Sequence, residues 1–91
     1  MNNARPKPLS SAQIRAARAL IRWSAEDLAR ASSVGVTTIR RAELTVEITS
    51  LTTANDQTIR RALELAGVEF IDENGGGPGV RLRKPTRQKR Q

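Results

Sequence analysis

Twenty residues, Ser24–Glu43 (SAEDLARASSVGVTTIRRAE), decide the fold that we expect for this chain of 91 residues. Ser24 stands three residues before Asp27, a spacing at which the hydroxyl and the carboxylate can each accept a backbone N–H at a helix start. The apolar residues that flank this capping box are typical of a hydrophobic staple. We therefore predict a short helix that begins after Ser24 and runs to about Ser32.

A second short helical pattern follows after only three residues, Ser33-Val34-Gly35. It covers about residues 36–44 and places Ile39 and Ala42 on one inward face. Two short helices joined by such a turn form a helix-turn-helix. The sequence thus predicts this supersecondary motif over residues 24–43.

Before the motif, residues 1–9 (MNNARPKPL) contain two prolines and two cations, and we expect them to form a flexible arm. Ser10 and Gln13 have the spacing of a second capping box and predict the start of the first helix. No glycine or proline interrupts that helix, which carries Ile14 and Ala17 on its inward face.

Beyond the motif, residues 45–52 (TVEITSLT) predict an ordered loop, and Thr53 predicts the N-cap of a fourth helix, with Asp56 at its third position. That helix should stop at Gly67. Alternation over 68–71 and 80–83, around a loop rich in Gly, Asn and Asp, predicts a β-hairpin over 68–83. Residues 84–91 (KPTRQKRQ) predict a basic, disordered tail.

Composition excludes most enzyme chemistry. The chain has no His and no Cys, so it lacks imidazole bases, thiolate nucleophiles and the usual zinc ligands. Glu26 and Asp27 diverge by about 100° on a helix and cannot face each other as an acid–base pair. We expect no catalytic residue, no metal and no cofactor.

No apolar run has the ~18–20 residues of a membrane span, so we expect a cytoplasmic protein with no membrane partner.

The motif resembles the helix-turn-helix of the Xre family, the lambda-repressor and Cro-like regulators of bacteria. The matching residues are the apolar positions and the terminal acid of the motif, namely Leu28, Ala29, Val34, Ile39 and Glu43. This resemblance implies a mainly α, lambda-repressor-like domain of four to five helices over residues 10–83, with a C-terminal β-hairpin. It also implies an ion pair between Arg18 and Glu43. The sequence departs from the family at Ala25, where Gln is usual, and at Ser33, where Gly is usual.

A helix-turn-helix of this kind reads DNA with the N-terminal part of its second helix. The base-contacting candidates on the recognition helix are Val36, Thr37, Thr38, Arg40 and Arg41. The phosphate-contacting candidates are Arg22, Ser24, Ser33 and Thr45. The alternative for the two arginines of the helix is a solvated face or a phosphate contact. Because one small domain reads few base pairs, we also expect a homodimer on a palindrome, paired through hairpin residues Val68, Phe70, Ile71, Val80 and Leu82.

The net charge of +7 points to a polyanionic partner, but its placement is uneven. Residues 1–9 carry +2 and residues 81–91 carry +6, whereas residues 10–80 hold eight cations and nine anions. The leading hypothesis is a sequence-specific repressor that binds double-stranded DNA and has no small-molecule substrate. The alternatives are a protein-binding helix-turn-helix, such as an antiactivator or antitoxin that sequesters another regulatory protein, and non-specific nucleic-acid binding through the tails.

Overall fold

A computed structural model describes residues 7–45 and 51–83, and these form a mainly α domain that ends in a β-hairpin. The prediction of this coarse class is confirmed. Residues 1–6, the loop segment 46–50 and the predicted tail 84–91 lie outside the described residues. The elements are α1 (Ser11–Ile21), α2 (Ala25–Ser32), α3 (Val36–Glu43), α4 (Thr53–Leu65), β1 (Val68–Ile71) and β2 (Gly79–Leu82).

Both predicted capping boxes are formed. The Ser10 hydroxyl accepts the Gln13 N–H and the Gln13 side chain accepts the Ser10 N–H, each at 3.0 Å. Ser24 and Asp27 make the same reciprocal pair at the start of α2, at 3.0 and 2.9 Å. Because capping depends on residues three apart, it can be identified from sequence before the fold is known.

The predicted cap of α4 is wrong by one residue. Thr52, not Thr53, is the N-cap, and its hydroxyl accepts the Asn55 N–H at 3.1 Å. Asp56 lies in the first turn of α4 and makes no capping hydrogen bond there. Its carboxylate is buried and accepts the backbone N–H of Leu9 at 2.9 Å, across 47 residues of chain.

The same hydrogen bond corrects the extent of the flexible arm that we predicted over residues 1–9. Leu9 is fully buried in the core, and the Lys7 carbonyl accepts a hydrogen bond from the Arg60 guanidinium at 2.8 Å. Residues 7–9 therefore pack against α4 as part of the domain. The sequence pattern missed this because a single apolar residue beside prolines has no periodicity.

One core is formed by aliphatic side chains from every helix, from β1 and from Leu9, which precedes α1. The fully buried large hydrophobic residues are Leu9, Ile14, Leu28, Ile39, Ile59, Leu63 and Val68. Trp23 and Phe70, the two aromatic residues of the chain, are half-buried and pack against its edge. α3 contributes both Ile39 and Ala42 to this core, so its inward face is held by burial of apolar surface.

The hairpin pairs β1 and β2 antiparallel, with Val68 opposite Leu82 and Phe70 opposite Val80. Its second strand is Gly79–Leu82, one residue earlier than predicted. The Gln13 side chain of α1 donates to the carbonyl of Gly79 at 3.1 Å, which ties the hairpin to the first helix. Within the described ranges, no helix is long and apolar enough to cross a membrane.

Candidate nucleic-acid interface

The turn between α2 and α3 is built from three local interactions. Ser33 ends α2 in the left-handed conformation at φ 61°, and its N–H donates to the Ala29 carbonyl at 2.8 Å. The Ser32 hydroxyl donates to the Leu28 carbonyl at 2.7 Å and accepts the N–H of Val34 at 3.2 Å. Burial of Val34 then seats the turn on the core before α3 begins. The two helices are thereby held as a compact unit.

Ser33 occupies a conformation that costs a residue with a Cβ about 1–2 kcal/mol. The serine is exposed, and its hydroxyl makes no hydrogen bond with the described residues. We expect Ser33→Gly to raise the free energy of unfolding by about 0.5–1 kcal/mol, measured by chemical denaturation. The control is Ala31→Gly, two residues earlier and inside α2, which should lower the free energy of unfolding by about 1 kcal/mol. A loss of stability in both variants would contradict the strain argument.

The Arg18–Glu43 ion pair implied by the resemblance is present and joins α1 to the end of α3. Arg18 Nε donates to Glu43 Oε2 at 2.6 Å, and Nη2 donates to Oε1 at 2.7 Å. Arg18 Nη1 also donates to the Trp23 carbonyl at 2.9 Å. The hydrogen bond to Glu43 raises the pKa of the Arg18 guanidinium above its usual value. Since Glu43 is 9% exposed, this bidentate pair anchors α3 from within the domain.

The opposite face of α3 is open. Thr37, Arg40 and Arg41 are exposed, and the Arg41 guanidinium makes no hydrogen bond or ion pair with any described residue. Two of the predicted base-contacting residues are placed differently. Val36 is half-buried and packs against the core, so its side chain is largely committed to the domain. Thr38 is also half-buried, at the side of α3 that faces α4.

Arg40, although exposed, already has an acidic partner. Its guanidinium forms an ion pair with Glu26, the second residue of α2, with both side chains about half exposed. The hydrogen bond from the backbone amide of Glu26 itself and the charge of Arg40 lower the pKa of the Glu26 carboxyl. From the sequence, Glu26 was considered only as a possible acid–base pair with Asp27, which helix geometry excludes. The two residues are 14 apart in sequence, and their contact depends on how α2 and α3 pack.

The predicted phosphate-contacting residues divide into two groups. Arg22 and Ser33 are exposed at the ends of α1 and α2. Ser24 is exposed too, and its hydroxyl accepts the Asp27 N–H, which leaves its own hydrogen to donate. Thr45 alone forms the second group. Its hydroxyl donates to the Ala42 carbonyl at 2.9 Å, so that hydrogen is already used inside the domain.

The start of α4 belongs to the same surface, although sequence reasoning left it out. A concavity of about 120 Å³ separates α3 from this helix start. It is lined by Thr38, Arg41, Ala42, Leu51, Thr52 and Asn55. A helix start presents unpaired backbone N–H groups and partial positive charge, which favour anions. The threonine pair at 52–53 signalled a helix start, but only the packing of α4 places that start beside Arg41.

The hairpin residues predicted for dimerisation are mostly used within the domain. Val68 is fully buried, and Phe70 and Val80 pack against the core. The Arg60 guanidinium also lies 5.0 Å from the centre of the Phe70 ring. Ile71 is half-buried, whereas Leu82 is 52% exposed. Val68, Phe70 and Val80 therefore turn their side chains toward their own helices, because a two-stranded sheet is marginal until one face is covered. Pairing of the hairpin between two copies stays a prediction.

Among the described residues, no group of three acidic side chains could hold a metal ion. Two larger cavities, of about 390 and 240 Å³, flank Lys7 and Pro8 and share the Arg60 side chain. Neither is lined by a residue of α2 or α3. No model of a protein family matches this chain, and no curated protein is significantly similar to it.

Proposed function

We propose that this chain is a sequence-specific DNA-binding transcriptional regulator with a lambda-repressor-like domain. One observation carries the proposal: α3 is anchored on its inner face by Ile39 and Glu43 and exposes Thr37 and Arg41 on its outer face. A helix that is rigidly held, short and open on one side can enter the major groove without rearrangement of the domain. Such a regulator would act in the bacterial cytoplasm, on the nucleoid.

Two side chains of α3 are suited to reading base edges. Arg41 has no competing partner among the described residues, and a guanidinium can donate two hydrogen bonds to O6 and N7 of guanine. Thr37 lies four residues earlier, on the same face, and its methyl group suits the methyl of thymine. Arg40, held by Glu26, is better placed to meet a phosphate than a base.

Groups at both ends of the motif would position the domain on the phosphates. Arg22 supplies a cation, and the Ser24 and Ser33 hydroxyls supply donors. The start of α4, with Thr52 as its N-cap, adds backbone N–H groups on the far side of Arg41. These contacts would fix the register of α3 while carrying no sequence information themselves.

We propose that the regulator represses by occupying a palindromic operator as a homodimer. Of the hairpin side chains, the exposed Leu82 remains available to a second copy. We expect the mass of a dimer by light scattering at tens of micromolar, and a shift toward monomer in Leu82→Glu. Leu44→Glu, at an 83% exposed leucine after α3, is the matched control and should stay dimeric. A monomeric wild-type protein would contradict the dimer but not DNA binding by α3.

The experiment that tests the function is selection from a random duplex pool. The full chain should enrich one short motif, arranged as two inverted half-sites about one helical turn apart. Enrichment with no shared motif would indicate non-specific binding through the charged ends. Failure to retain any duplex would overturn the proposal and favour a protein-binding helix-turn-helix.

A further inference from the structure

A carboxylate stands within the basic surface that α3 exposes. Glu26 belongs to α2, but its ion pair with Arg40 places it beside the outer face of the recognition helix. The side chains of Glu26 and Arg40 are 50% and 55% exposed, so both reach solvent at this surface. Among the described ion pairs, this is the one that joins the two helices of the motif.

The Glu26 carboxylate is negatively charged at neutral pH, and it affects a second arginine besides Arg40. Its own backbone amide and Arg40 keep the pKa of the Glu26 carboxyl below its usual range. After the stronger effects of Glu43, the charge of Glu26 also helps to raise the pKa of Arg18. The carboxylate therefore acts on cations of both α1 and α3.

Two consequences follow for a polyanion that approaches this surface. Glu26 already occupies one N–H donor of the Arg40 guanidinium and offsets its charge, so a phosphate must displace Glu26 to gain the full contact. Once displaced, the carboxylate remains near the phosphate and repels it. Both effects weaken binding, and neither depends on base sequence, because phosphates are the same at every base pair.

We propose that Glu26 lowers the affinity of this domain for all duplex DNA by neutralising Arg40 within the binding surface. This inference rests on the proposed function, and it deepens it by assigning a residue that limits non-specific binding. A regulator competes against a very large number of non-specific sites, so an acid that suppresses phosphate contacts keeps more protein available for its operator.

The test is Glu26→Gln, measured against the selected duplex and a scrambled duplex of the same length over a series of salt concentrations. One additional phosphate contact changes the slope of log K against log[salt] by about 0.9. At 0.1 M salt this corresponds to about five- to tenfold tighter binding, and we expect it on both duplexes. Because Glu26 is exposed, the thermal midpoint of the variant should change little.

Glu69→Gln is the matched control, since it removes the same charge from an exposed Glu–Arg pair, that with Arg81 on the hairpin. It should leave both affinities within about twofold, because salt screens exposed charges beyond ~10 Å at 0.1 M. The double variant Glu26→Gln with Arg40→Gln should lose most of the gain. That loss would show that the effect acts through Arg40.

Unchanged affinities and slopes in Glu26→Gln would overturn the inference. So would weaker binding to the selected duplex alone, because that result would make Glu26 a reader of a base. The proposed function fails separately, if the wild-type protein enriches no motif from the pool. If the wild type still retains duplexes without a shared motif, any one of them decides whether Glu26 limits binding, and a wild type that retains none overturns the inference too.

Discussion

Replacing Arg18 with alanine is expected to lower the free energy of unfolding by about 2–4 kcal/mol. The substitution leaves the Glu43 carboxylate, 9% exposed, without the two guanidinium hydrogen bonds that it accepts at 2.6 and 2.7 Å. It also removes the donor to the Trp23 carbonyl, which lies at the entry to α2. A buried charge that loses its partner costs more than the pair contributes, so the effect should exceed that of an exposed pair.

Chemical denaturation with a matched control measures this effect. Arg15→Ala removes an exposed arginine from the same helix and should stay within about 0.5 kcal/mol of the wild type. Replacing both partners, Arg18→Met with Glu43→Leu, should recover most of the loss, since an apolar pair of similar size leaves no buried charge. Equal losses in Arg15→Ala and Arg18→Ala would show that the pair does not anchor α3.

Replacing Arg41 with alanine should cost about 1–3 kcal/mol of discrimination at one base pair of each half-site, which is about 5- to 150-fold in relative affinity. The physical reason is the loss of the proposed bidentate contact to guanine, which other bases cannot accept in the same geometry. The measurement is a competition series in which each base pair of the selected site is changed in turn. Binding to the scrambled duplex should fall much less.

The chain offers a close control for this variant. The sequence Thr-Ile-Arg-Arg-Ala of α3 recurs in α4, where Arg61 stands in the place of Arg41 and is also exposed. Arg61→Ala removes the same charge from the same local sequence on another helix, and it should leave the base preferences unchanged. A uniform loss of affinity in Arg41→Ala, with every preference retained, would assign Arg41 to a phosphate.

Much of the local structure could be predicted from sequence, because it depends on residues a few positions apart. The capping boxes at Ser10 and Ser24 are of this kind. At the start of α4 two adjacent threonines offer the same signal, and the one that caps the helix is Thr52. The second strand of the hairpin begins and ends one residue earlier than predicted.

The candidate site was predicted only in part. The exposed Thr37 and Arg41 follow from the inward positions of Ile39 and Ala42, because a helix with a buried stripe must expose its other side. Two features did not follow: the Glu26 carboxylate beside Arg40, and the start of α4 beside Arg41. Each feature brings together residues of two different elements. The spacing of residues along the chain does not predict how two elements are oriented relative to each other.

The sequence by itself determined the order of the elements, the starts of α1 and α2 and the inward face of α3, since hydrogen-bonding caps and apolar periodicity act over a few residues. The tertiary structure alone decided the burial of Leu9, the inward packing of Val68 and the contact between Glu26 and Arg40. These contacts depend on close packing between side chains that are distant in the sequence. An apolar side chain is buried where the packed helices leave room for it. The same packing determines which arginines of the motif remain open to a partner.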